Sequence, residues 1–173
     1  MMVARRILSW LLFGLVVALP SVAVGITYDF SNFSSVADLT LNGDAAQTNK
    51  LVRLTPDANQ KKGSAFFSCV HDFDGDTSFQ THFVVRIHGT DSTGADGMTF
   101  TLHSSAAGET ALGGLGGGLG YDGIESSVAV ELDTHANGSE NDNHTGVLTD
   151  GSTSGTAMAS PSFDFNDGKE THV

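Results

Sequence analysis

Beyond residue 25, apolar residues recur at every second position in short runs, and no long stretch carries them at helical spacing between caps. Side chains two apart share one face of a strand, so this period specifies sheet rather than helix. In residues 79–88, FQTHFVVRIH, the residues Phe83, Val85 and Ile87 fall on one face. In residues 97–103, Met98, Phe100 and Leu102 alternate with Thr99 and Thr101. In residues 128–133, Val128, Val130 and Leu132 form an apolar face expected to meet the core. Loops rich in Gly, Ser, Asp and Asn, such as GTDSTGADG and GGLGGGLGYDG, separate these runs at the spacing of a sandwich. The expected class is all-β. A single glycine-rich run, 113–120, cannot stack into a roll of repeats and reads as a loop whose backbone approaches something closely. Thr171-His172-Val173 reads as the opening of a further strand, which points to a chain truncated at its carboxyl end.

Residues 1–25, MMVARRILSWLLFGLVVALPSVAVG, place Arg5 and Arg6 before an apolar run that closes at Pro20 and small residues. This is the pattern of a cleaved secretory signal peptide, and the run is short for a bilayer span. One domain, 26–173, is expected to follow and is long enough to bury its own core. The formal charge of −12 becomes −14 without those two Arg, six cations against twenty acids. Such a surface argues against a nucleic-acid partner and suits divalent cations. Cys69 is the sole cysteine, so the chain forms no internal disulfide; in SAFFSCV it reads as a small buried hydrophobe.

Acidic and amide residues concentrate in 128–147, VAVELDTHANGSENDNHTGV. Glu131 and Asp133 are two apart on a strand and therefore point the same way. At about 4 Å and an effective dielectric near 20 two such charges repel by about 4 kcal/mol, which a cation or a shared proton relieves. Asn137, Glu140, Asn141, Asp142 and His144 follow in the next loop. Oxygen ligands with one imidazole suit Ca²⁺ beside a transition metal such as Mn²⁺. The plainer alternative is a solvated strand end and an acidic loop.

VAVELDT, followed by Asn137, an acidic residue and His144-Thr145-Gly146-Val147, resembles the metal-binding segment of the legume-type (L-type) lectins. Further blocks fall in that family's order: Phe30-Ser31-Asn32-Phe33, Lys62-Gly63-Ser64-Ala65-Phe66-Phe67, Phe79-Gln80-Thr81-His82-Phe83, Ala95-Asp96-Gly97-Met98 and the Gly-Leu-Gly run. The resemblance implies a concanavalin-like antiparallel β-sandwich, a jelly roll, incomplete in this chain. It implies that Glu131 binds the transition metal, Asp133 bridges both metals, His135 offers its carbonyl to Ca²⁺, and Asn137 contacts Ca²⁺ and sugar. Asp142 would be the second bridging carboxylate, with Glu140 as the alternative, and His144 the transition-metal imidazole. Sugar would be held by Asp96, by a backbone amide at Gly117 or else Gly118, and by Asn137, with a cis Ala95–Asp96 peptide. Tyr121 or His135 would stack near the sugar, whereas His71, His82 and His103 are assigned no site.

The function so implied is reversible, Ca²⁺-dependent glycan binding without catalysis, in a secreted or cell-surface protein, with a homo-oligomer left open. A glycoside hydrolase of related fold is the rival reading. It needs two carboxyl groups about 5 Å apart, and Thr134, His135 and Ala136 stand where a second Glu is required. In a third reading Ca²⁺ only stiffens the loops of a structural or adhesive surface protein.

Overall fold

The computed structural model describes residues 29–30, 32–72, 78–89, 95–137, 141–155 and 158–173. Two units are distinguished, Met1–Phe30 and Ser31–Val173, and every described strand belongs to the second. The expected signal peptide, 1–25, lies outside the described residues.

Among the described residues ten strands follow one another: β1 (Leu39–Gly43), β2 (Ala46–Thr48), β3 (Leu51–Arg53), β4 (Gly63–Phe67), β5 (Val84–Val85), β6 (Gly97–His103), β7 (Ser127–Asp133), β8 (His144–Thr149), β9 (Met158–Ala159) and β10 (Thr171–His172). Every pairing is antiparallel, and the described helical structure amounts to two 3₁₀ turns, Gly108–Thr110 and Gly116–Gly118. The strands β6, β7, β8 and β9 lie side by side in chain order as a meander, while β1 pairs β4, β2 pairs β3 and β5 pairs β10. Asn49 and Lys50 join β2 to β3 with φ of 49° and 62°, the two positive values that match a two-residue hairpin to strand twist. Among the described residues no helix is long and apolar enough to cross a membrane.

The expected strand at 97–103 is β6, and that at 128–133 is β7 with Ser127 added. Gly97 begins β6 opposite Asp133, at φ 141°, where a Cβ would sit 2.3 Å from the Leu132 carbonyl oxygen. Only glycine fits there. Within 79–88 the alternation holds, with Phe83, Val85 and Ile87 half-buried and His82, Val84, Arg86 and His88 exposed. The ladder is shorter than expected because its partner β10 supplies only two residues to it.

The burial of β7 corrects the sequence reading. Glu131 and Asp133 are each 2% exposed, whereas Val128 and Val130 are 42% and 38% exposed; of the apolar face only Leu132 is buried. The cause is the segment 111–124, which brings Ala111, Tyr121 and Ile124 onto Ala129 of β7 and Leu148 of β8, with Phe66 at the edge. Ala129 opposes Leu148 in register, two residues from Glu131, so the carboxylates share the covered face. Tyr121 is fully buried, its hydroxyl bonded to Ser127 Oγ at 2.8 Å and accepting from the Gly151 amide at 3.1 Å. Phe83 stacks on Phe100 on the other face, with ring centroids 5.4 Å apart. Cys69 is exposed rather than buried, because it follows β4 where the chain has already left the sheet.

Candidate functional site

The register of β7 against β8 sets Asp133 opposite His144, so the last carboxylate of one strand meets the first imidazole of the next. Glu131, Asp133 and His144 are buried, and one ligand atom from each lies within 4.8 Å of the other two. His144 Nδ1 lies 2.8 Å from the Asn141 carbonyl oxygen, an acceptor only, so Nδ1 carries the proton and donates. Nε2 then faces the carboxylates. It lies 3.4 Å from Glu131 Oε1, close enough for an ion pair, yet it is buried and makes no hydrogen bond.

Local geometry holds the carboxylates in place. Thr145 Oγ1 donates to the Glu131 carbonyl oxygen at 2.6 Å, and Asp133 Oδ1 accepts from the His135 amide at 2.7 Å, which turns the chain out of β7. Gly155 lies over Glu131, since a Cβ there would be 3.2 Å from Oε1. Two buried carboxylates beside a lone-pair-bearing imidazole form an oxygen, oxygen, nitrogen donor set, with the imidazole oriented by its second nitrogen as metal-bound His residues are. These residues fit a divalent transition metal. Gly155 and the Asn141 carbonyl were not read from the sequence; the position of Asn141 three residues before His144 was the available signal.

A second group forms alongside. The Thr134 amide donates to the Asp96 carbonyl oxygen at 2.8 Å, tying the residue before β6 to the end of β7. The Ala95–Asp96 peptide is cis. A Cβ on Gly116 would lie 3.5 Å from Asp96 Oδ2, and one on Gly117 would lie 3.1 Å from both Nδ2 and Oδ1 of Asn137. Asp96, the Gly116–Gly117 backbone and Asn137 therefore converge, whereas Gly118 packs on Asp122 instead. The glycine run is the close backbone approach that its composition required. Asn137 and His135 are exposed, and Asn137 Nδ2 reaches the His135 carbonyl at 3.5 Å.

Other expected residues stand differently. Asp142 is exposed and outside the buried three, and its alternative Glu140 lies outside the described residues. Tyr121 is a core residue with a satisfied hydroxyl and offers no ring for stacking on a ligand. His103 is half-buried and edge-on to Phe66 at 4.7 Å.

A family model described as the legume lectin domain matches residues 25–173. The chain is 32% identical over 126 residues to a lectin of Bauhinia forficata, covering 65% of this chain and 52% of that protein. It thus spans about half the length of that relative. The structure of the Bauhinia forficata lectin in complex with GalNAc superposes with a TM-score of 0.59 at 23% identity, covering 82% of this chain and 68% of that one. Basic winged bean lectin with Tn-antigen gives 0.58 at 25% identity, covering 78% and 62%. The exoplasmic/lumenal domain of VIP36 in its Ca²⁺/Man2-bound form gives 0.55 at 18% identity, covering 78% and 56%. The fold is thus the concanavalin-like sandwich that the sequence led us to expect. With the family model spanning the whole chain from residue 25 onward, this protein belongs to the legume lectin domain family.

Proposed function

We propose that this chain is a carbohydrate-binding lectin domain that binds glycans reversibly, in a Ca²⁺-dependent way and without catalysis. The observation that carries the reading is the convergence of Asp96, Gly117 and Asn137 beside the buried trio Glu131, Asp133 and His144. Asp96 accepts hydrogen bonds from two sugar hydroxyls, while the Gly117 amide and the Asn137 side chain donate to neighbouring hydroxyls. Glycine at 117 leaves room for the Asn137 amide and for sugar at the same spot.

Glu131, Asp133 and His144 would hold a transition metal such as Mn²⁺. Asp133, the His135 carbonyl and Asn137 would hold Ca²⁺, with Asp142, or Glu140 in its place, as the second carboxylate serving both metals. Bound cations would neutralise the buried carboxylates and tie Asn137 and Asp142 to the end of β7. Support for Ca²⁺ comes from VIP36, a structural neighbour determined in Ca²⁺- and mannose-bound forms, and support for glycans from the sugar complexes of the plant lectins. The domain is 26–173, preceded by a signal peptide at 1–25, and the protein is secreted or held at the cell surface.

A glycan array with wild type and Asp96→Ala tests the reading. The expected outcome is Ca²⁺-dependent binding by wild type, abolished by the substitution, with the melting temperature unchanged within a few degrees. Equal glycan binding by both proteins overturns the assignment of Asp96. Hydrolysis of a β-glucan by the purified protein would overturn the non-catalytic reading.

A further inference from the structure

On the strand pair β5–β10, a two-stranded sheet separate from that of β6 to β9, two imidazoles meet. Phe83 and Val173 exchange both backbone hydrogen bonds at 3.0 Å, and His172 opposes Val84. His82, two residues before Val84, is therefore the diagonal neighbour of His172 on one face. Nδ1 of His172 and Nε2 of His82 are 3.3 Å apart, with ring planes 27° apart and centroids separated by 5.4 Å. The two nitrogens thus lie at hydrogen-bonding distance, one ring donating its proton to the other. Both side chains are exposed to solvent.

We propose that His82 and His172 form a surface chelate for a borderline-soft divalent transition metal, with Cu²⁺ or Zn²⁺ as the class, distinct from the buried Glu131–Asp133–His144 group. Metal–imidazole bonds of about 2.0–2.1 Å at a tetrahedral angle separate two nitrogens by about 3.3 Å, the spacing already present. The ring that donates the shared proton moves it, through water, to its other nitrogen; both imidazoles stay neutral and two lone pairs face the metal. Waters complete the coordination. The chelate fastens β10 to β5, whose ladder has only two residue pairs.

The test titrates the full chain, stripped with EDTA and reloaded with Ca²⁺ and Mn²⁺, with Cu²⁺ near neutral pH by calorimetry and paramagnetic resonance. His82→Ala and His172→Ala should each bind one Cu²⁺ fewer than wild type, and the double variant no fewer than either. The two-nitrogen splitting should fall to one or vanish. His88→Ala, an exposed neighbour, should keep the wild-type stoichiometry. Unchanged stoichiometry in both single variants, or the same loss in His88→Ala, overturns the proposal. Retained glycan binding in His82→Ala keeps this result separate from the sugar-site reading.

Discussion

Glu131 sits where two explanations of a buried carboxylate part company. As a structural partner of His144 it would be needed for folding, because removing one member of a buried ion pair strands the other at a cost of about 3–5 kcal/mol. As a metal ligand it is a burden without the metal, since Asp133 repels it. We therefore expect Glu131→Gln to unfold no earlier than wild type in EDTA and to lose the stabilisation by Mn²⁺, which calorimetric melts with and without metal would show. A drop of several degrees in EDTA would instead favour the ion pair. The shared direction of Glu131 and Asp133 was legible from their spacing alone. The partner, His144, was named by the loop's composition and the resemblance, but its contact was not legible from spacing: His144 lies eleven residues beyond Asp133 and meets it only through strand register. At Gly117 the expectation is simpler, as a Cβ 3.1 Å from the Asn137 amide must displace it. Gly117→Ala should weaken glycan binding at least tenfold, measured by titration, with little change in melting.

At the level of the strands, β7 shows what alternation can and cannot say. The period separated Val128 and Val130 from Glu131 and Asp133 correctly, but it carried no information about which face would be covered. Segment 111–124 decides that, through Tyr121 and Ile124 on Ala129 and Leu148. Leu148 is fully buried and opposes Ala129, so Leu148→Ala should cost about 2–5 kcal/mol in denaturant unfolding. On β6, burial holds the His103 imidazole below its ordinary pKa, and its Nδ1 accepts from the Ser105 amide at 3.3 Å. The folded pKa lies under the unfolded one, so between the two values the unfolded chain binds the extra proton. Stability therefore falls as pH drops below about 6.5. His103→Gln should flatten the decline in melting temperature between about pH 7 and pH 5; an unchanged slope would exclude His103 as its source.

For the molecule as a whole, the proposed cations would join β7, β8 and the loop between them, so their removal should be felt globally. Saturation at a hundred times the dissociation constant stabilises by about 2.7 kcal/mol, which for a domain of this size raises the melting temperature by roughly 5–10 °C. A cooperative melt that falls by this amount in EDTA and recovers with Ca²⁺ and Mn²⁺ is the expected result. A melt indifferent to metal would leave the buried trio as a structural network. Separately, Cys69, expected inside on composition, is exposed, because short-range sequence does not record where a strand leaves its sheet.

The sequence by itself determined the all-β class, the glycine and acidic loops, and the residues to watch, because periodicity, turn chemistry and charge are local properties. Only the tertiary structure decided that the carboxylate face of β7 is the buried one, that strand register brings His144 against it, and that Gly117 rather than Gly118 faces Asn137. Those outcomes depend on strand register and on what packs over each face, contacts between residues far apart in the chain that no local pattern encodes.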